Sequence, residues 1–120
     1  MNLIEELKNL GVDVNDGLER VMGDNSLYEM MLGMFVDAVR DNPVSAADYD
    51  AADLDELIKR VHMLKGVTGN LALTPLFNGY NQSLILLRAG KAADAKAEFE
   101  RMLPIQAEIL DCINRHKGGE

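Results

Sequence analysis

The chain has 120 residues and a mass of 13.2 kDa, the size of one domain with a single hydrophobic core. Hydrophobic residues make up 48% of the sequence, which excludes disorder over most of its length. Nucleic acids and anionic membranes would repel a chain with a formal charge of -8, so neither is an expected partner.

The single cysteine, Cys112, leaves no second cysteine for an internal disulfide or for a zinc site built from several cysteines. No apolar stretch approaches the roughly 18 residues that span a bilayer, and the amino terminus lacks a basic region before an apolar run. We expect a soluble, cytoplasmic protein.

Two short helices are predicted at the amino terminus. Apolar residues recur at helical spacing from Leu3 to Leu10, and Gly11 ends the pattern. Residues 15–17 then open a second short element, which carries Leu18, Val21 and Met22.

The first long amphipathic helix is predicted to begin at residues 24–26, whose side chains can cap it, and to include Ala38. Asn42-Pro43 predicts its end, because proline disfavours helical geometry at the residue before it. Residues 44–52 show no clear pattern. We interpret the methionines of this region as core residues, with an adaptable binding groove as the alternative; they are Met22, Met30, Met31 and Met34.

The second long helix is predicted from about Leu54 to Leu71. Asp53 is the expected N-cap, with Glu56 at the spacing of a capping box. One apolar stripe follows the helix and comprises Leu57, Val61, Leu64, Thr68 and Leu71.

The third long helix is predicted from about Pro75 to Ala89, with Thr74 as its cap and Gly90 as its end. The fourth covers residues 91–115 and should bend at Pro104. These elements predict an all-α fold, an antiparallel up-down four-helix bundle over residues 1–117 with the short helices capping one end. Residues 118–120 are expected to form a flexible tail.

His62 is predicted to face solvent, because the apolar stripe is centred about 150° away on a wheel of about 100° per residue. Lys59, Lys65, Gly66 and Gly69 lie within about 60° of it. A lone exposed histidine among lysines usually belongs to a solvated face. Two glycines inside a helix, however, each cost roughly 1 kcal/mol relative to alanine, which favours a packing or functional reason for them.

An exposed imidazole beside an amine is suited to nucleophilic attack on an anionic group, with the cation holding the transferred oxygens. Phosphoryl transfer fits this arrangement best. A metal site is not expected, because His116 is the only other histidine and lies at the polar end of the last helix. No phosphate-binding loop is present, so nucleotide binding is not expected either.

The segment His62-Met63-Leu64-Lys65-Gly66 resembles the His-x-x-Lys-Gly signature of histidine phosphotransfer (HPt) domains, which are small four-helix bundles of two-component signalling. Its place in the second long helix, before Asn70-Leu71, strengthens the resemblance. The similarity extends over most of the chain and includes Gly11-Val12-Asp13, Leu18-Glu19-Arg20 and Phe35.

This resemblance implies that His62 is the phosphoacceptor and attacks an aspartyl phosphate through Nε2. Lys65 would stabilise the phosphoryl oxygens, and Gly66 and Gly69 would give steric access. The implied partners are response-regulator receiver domains and a hybrid histidine kinase. The chain would be a monomeric phosphoryl carrier without kinase activity and without a cofactor, since Mg²⁺ would bind the receiver.

Two positions depart from the family pattern. Ala72 stands where the family usually has glycine, and we expect it to extend the helix slightly. Leu84 stands where many members place a Glu or Gln that holds Nδ1, which leaves Gln82 and Ser83 as the nearest polar residues.

A docking surface for the receiver would have an apolar part, for which the candidates are Met31, Phe35 and Ile58, although Met31 and Phe35 fit the core equally well. The alternative function is a non-catalytic helical adaptor that binds a signalling partner.

Overall fold

The structure is a computed structural model that describes residues 2–117. In this range the chain forms helices and no strand, so the all-α prediction is confirmed; the predicted tail at 118–120 lies outside the described residues. The helices are α1 (Leu3–Asn9), α2 (Val14–Glu19), α3 (Asn25–Asp41), α4 (Asp55–Asn70), α5 (Thr74–Arg88) and α6 (Ala92–Lys117), with a short 3-10 helix at Ala46–Asp50.

Side-chain oxygens cap the N-termini of the first three helices. Asn2, Asp13 and Asp24 each accept a hydrogen bond from the backbone N–H three residues further on, at 2.9, 3.1 and 3.0 Å. Each bond satisfies a first-turn N–H that has no partner within its helix. The cap of α3 lies where the sequence predicted it.

The predicted caps of α4 and α5 are each wrong by one residue: the N-caps are Leu54 and Leu73. Asp53 accepts a hydrogen bond from the N–H of Asp55 at 2.9 Å, and α4 begins at Asp55 without the expected box to Glu56. Thr74 is the first residue of α5, and its hydroxyl donates to the carbonyl of Ala72 at 3.2 Å. The side chain of Asp53 bonds in the turn before α4, and that of Thr74 bonds back to Ala72 in the turn before α5, so neither acts as the predicted N-cap.

The boundaries between the long helices follow the sequence signals. α3 ends at Asp41, directly before Asn42-Pro43, as predicted. The unpatterned segment 44–52 contains the 3-10 helix, which buries Tyr49 with its hydroxyl 2.6 Å from that of Ser83. Gly90 follows α5 with a φ of +76°, a left-handed conformation that glycine adopts without steric cost.

α5 packs against both α4 and α6, and α3 also contacts both of them. α1 and the 3-10 helix pack on α6, while α2 contacts α1 and α3. The predicted apolar stripe of α4 is buried in this core, from Leu57 to Leu71. Pro104 lies inside α6. Within residues 2–117, no helix has the length and apolar character needed to cross a membrane.

The interpretation of the methionines as core residues is wrong for three of them. Met22, Met30 and Met34 are 96%, 59% and 60% exposed, and Met31 is half-buried against the core. Met22 lies in the turn before α3. Met30 and Met34 lie off the buried side of α3, because that side is formed by other residues at helical spacing, namely Tyr28, Leu32 and Phe35.

Candidate functional site

His62 lies in the middle of α4 on the side opposite the buried stripe. Its neighbours Val61 and Leu64 are 0% and 1% exposed, whereas His62 and Gly66 are exposed and Lys65 is half-buried. The predicted orientation of this helix is therefore confirmed. The imidazole is accessible to a molecule that approaches α4 from solvent.

The two glycines of this face have different surroundings. A Cβ atom added to Gly66 would meet nothing within 4 Å, so the surface beside His62 is open there. A Cβ atom added to Gly69 would lie 3.1 Å from the ring of Phe77. Gly69 thus allows α5 to approach α4 closely, a packing role that the steric-access prediction did not include.

A surface cleft borders the His62 face. Lys65, Gly66 and Asn70 of α4 line one part of it, and Asp16 and Arg20 line another. The Arg20 guanidinium is paired with Asp16 at 3.1 Å. Lys65 has no ion-pair partner within residues 2–117, so its ammonium group is available to an incoming anion.

No described side chain forms a hydrogen bond to the His62 ring. α5 packs against α4, with the ring of Phe77 next to Gly69, and Leu84 is the residue of α5 at the position where many family members have a Glu or Gln. Leu84 is 1% exposed, and Ser83 is buried against Tyr49. α5 therefore supplies no group that holds the imidazole.

The apolar surface near His62 differs from the predicted one. Phe35 is fully buried and therefore belongs to the core, while Met31 and Ile58 are half-buried. Met63, beside His62 in the chain, is 42% exposed, and Ile85, next to Leu84, is 50% exposed. The exposure of Met63 follows from its place next to His62 on α4, whereas the contribution of Ile85 depends on how α5 packs on α4, which the sequence does not give.

The expectation that Ala72 extends α4 is wrong. α4 ends at Asn70, and Ala72 has a φ of +56°, in the left-handed region that L residues seldom occupy. Its carbonyl accepts a 3.1 Å hydrogen bond from the N–H of Asp13. Ala72 therefore holds a conformation that glycine would adopt without steric cost.

A second cluster of polar side chains joins α1 to the end of α6. The Glu6 carboxylate lies 2.7 Å from Nε2 of His116 and accepts a 3.2 Å hydrogen bond from the thiol of Cys112. Hydrogen bonds from Cys112, His116 and Arg115 lower the pKa of Glu6 to about 2, and burial together with Glu6 raises the pKa of Cys112 to about 12. The sequence did not predict this cluster; its one local signal is that Cys112 and His116 stand four residues apart on a helix.

Comparison with known proteins adds no family: no protein-family model, curated protein or solved structure matches the chain. A function is therefore argued from the geometry of these residues. The His62 face combines an accessible nitrogen nucleophile, an open surface and a cation, Lys65, that has no ion-pair partner among the described residues, which suits transfer of an anionic group.

Proposed function

We propose that the chain is a histidine phosphotransfer protein that carries a phosphoryl group on His62 between receiver-domain aspartates in a two-component phosphorelay. One observation carries the proposal. His62 is exposed on the face of α4 opposite the core stripe, with Lys65 one turn away and open surface beside Gly66. The His-x-x-Lys-Gly signature at these positions supports the same function.

The proposed reaction consists of two displacements at phosphorus. Nε2 of neutral His62 attacks the aspartyl phosphate of one receiver, a P–N bond forms, the P–O bond breaks, and the aspartate leaves as a carboxylate. A carboxylate of a second receiver then attacks the phosphohistidine, and the P–N bond breaks. Such transfers depend mainly on positioning and on stabilisation of charge. Mg²⁺ would be held by the receiver.

Lys65 and Gly66 have separate roles in this proposal. The unpaired ammonium of Lys65 would contact the oxygens of the phosphoryl group as charge moves between donor and acceptor. The open surface at Gly66 would allow the active-site loop of the receiver to reach His62. Because α5 presents no partner for Nδ1, water would hold the proton on that atom.

The arrangement of the helices supports this function. We propose that α3, α4, α5 and α6 form the antiparallel four-helix bundle expected of the family, with α1 and α2 at one end. The packing of α5 on α4 and α6, and of α3 on the same two helices, agrees with it. Met63 and Ile85 would form the apolar part of a small, transient receiver interface.

A helical adaptor without relay chemistry is the second candidate. The observation that favours it is the exposed apolar surface of α3, where Met30 and Met34 are more than half exposed. An adaptor would bind its partner whether or not His62 is present.

The test is incubation with phosphorylated receiver domains and Mg²⁺, followed by measurement of acid-labile, base-stable label on the chain. We expect label on the wild type, none on His62→Gln, and undiminished label on His116→Gln, which removes the other histidine. Circular dichroism should give the same helicity for all three. Label on His62→Gln would exclude His62 as the acceptor, and absence of label from every cognate receiver would favour the adaptor.

A further inference from the structure

We propose that Glu6, Cys112 and His116 form a metal site that binds one Zn²⁺ ion, away from the His62 face and independent of the phosphorelay. The three side chains offer a carboxylate oxygen, a sulfur and an imidazole nitrogen, and these ligand atoms all lie within 4.8 Å of one another. Oxygen, sulfur and nitrogen are the three ligand types that zinc takes in proteins.

Two helices place these ligands around one point. Cys112 and His116 are one turn apart on α6, so they share a face of that helix, and α1 brings Glu6 against it. Oε2 of Glu6 is 2.7 Å from Nε2 of His116 and 3.2 Å from Sγ of Cys112. In a tetrahedral zinc site with bonds of about 2.0 to 2.3 Å, neighbouring ligand atoms lie about 3.3 to 3.8 Å apart. Small side-chain movements would therefore bring these three atoms to the distances that zinc requires.

Binding would replace the protons at the centre of this cluster by the ion. The thiol of Cys112 would release its proton to solvent and bind as a thiolate. His116 would bind through the lone pair of Nε2, with its proton on Nδ1, and Glu6 is already a carboxylate. Release of a proton on metal binding is usual for cysteine ligands.

Arg115 lies beside the proposed ligand atoms but binds more closely to the outer oxygen of Glu6. Its Nη1 donates to Oε1 at 3.2 Å and reaches Oε2, which faces Cys112 and His116, at 3.5 Å; its Nε pairs with Asp111 at 3.0 Å. Arg115 would therefore orient the ligand from the outer shell rather than occupy the ion's position. Asp111 and Glu108 line the adjoining surface cleft and offset the charge of Arg115, and the cleft gives water access to a fourth position.

The test uses the full, untagged chain freed of metal, with Zn²⁺ and Co²⁺ as probes. We expect calorimetric titration with Zn²⁺ to give one ion per chain and the melting temperature to rise with Zn²⁺ concentration. Co²⁺ should give the near-ultraviolet charge-transfer band of a cobalt–thiolate bond. Absence of that band, or an unchanged melting temperature, would overturn the proposal.

Two ligand variants and one control locate the ion. Cys112→Ser should abolish the thiolate band, and both Cys112→Ser and His116→Gln should weaken Zn²⁺ binding at least tenfold. His116→Gln decides the matter if the buried serine prevents folding. His62→Gln, which removes a histidine from α4, should bind Zn²⁺ like the wild type. Equal affinity in the wild type and both ligand variants, or loss of binding in His62→Gln, would refute this site.

Discussion

The hydroxyl of Tyr28 donates a 2.9 Å hydrogen bond to the carbonyl oxygen of Leu71, the residue that ends α4. Tyr28 is 1% exposed, and its ring also lies against Gly17 of α2, where an added Cβ atom would come within 2.6 Å of it. Three elements thus meet at Tyr28. The contact fixes the end of the helix that carries His62.

Tyr28→Phe should lower the free energy of unfolding by about 1 to 2 kcal/mol, because it leaves the buried carbonyl of Leu71 without this donor. Gly17→Ala should cost about 1 to 3 kcal/mol, since the ring has to move away from the new methyl group. Urea unfolding measures both effects. A Tyr28→Phe protein as stable as the wild type would show that the hydrogen bond contributes nothing.

Stability should fall in alkaline solution. Burial raises the pKa of Tyr28 and of Tyr49 from the usual 10.0 of a tyrosine to about 12. Between these values the folded state keeps protons that the unfolded state loses, so the stabilisation is complete below about pH 10 and is lost as the pH rises to about 12. Between these pH values, each tyrosine lowers the free energy of unfolding by about 1.4 kcal/mol per pH unit.

Urea unfolding at a series of pH values measures this slope, and Tyr49→Phe provides the comparison. The variant lacks the contribution of one tyrosine, so its free energy of unfolding should fall less steeply with pH than that of the wild type. An unchanged slope would mean that Tyr49 does not contribute.

Lys65→Ala should slow phosphoryl transfer by about tenfold to a hundredfold, because it removes the cation proposed to contact the phosphoryl oxygens. The free energy of unfolding should change by less than about 0.5 kcal/mol, since Lys65 forms no ion pair among the described residues. Rapid-quench kinetics with a phosphorylated receiver gives the rate. Lys59→Ala, on the same face, is the matched control and should retain a faster rate than Lys65→Ala.

Gly66→Ala should raise the stability of the protein and slow phosphoryl transfer. The added methyl group meets no atom within 4 Å, so the gain in helix propensity should raise the free energy of unfolding by about 1 kcal/mol. Transfer should become slower, because the methyl group stands where the receiver approaches. Gly69→Ala should stabilise less, since its methyl group crowds Phe77. If Gly66→Ala transfers at the wild-type rate, access at this position is not required.

Met22→Gly should stabilise the protein by about 1 kcal/mol. Met22 has a φ of +57° although it is 96% exposed, so glycine relieves the backbone strain and no buried contact is lost. Met22→Ala keeps the Cβ atom and should leave thermal stability near that of the wild type. Equal melting temperatures for the glycine and alanine variants would contradict the strain argument.

Periodicity predicted the parts of the fold that depend on residues close in the chain. The buried stripe of α4, and with it the exposure of His62, follows from the spacing of apolar residues three and four apart. The end of α3 before Asn42-Pro43 and the turn at Gly90 follow from proline and glycine geometry. These signals act within a few residues, so tertiary contacts did not alter them.

Features that depend on the relative position of helices were not predictable. Gly69 contacts Phe77 only because α4 and α5 pack in one particular way. The cluster of Glu6, Cys112 and His116 likewise requires α1 to dock on α6. Met30 and Met34 were misassigned because hydrophobicity alone does not show which face of α3 is buried.

The contacts of Glu6 with Cys112 and His116 join residues 106 and 110 positions apart, so the described chain returns almost to its starting point. A short linker across this junction would close the chain into a ring. New termini could then be placed in the turn at residues 88–91, because these residues are exposed and belong to no part of the core. Such a circular permutant should retain the core and the His62 face, because neither depends on where the chain begins.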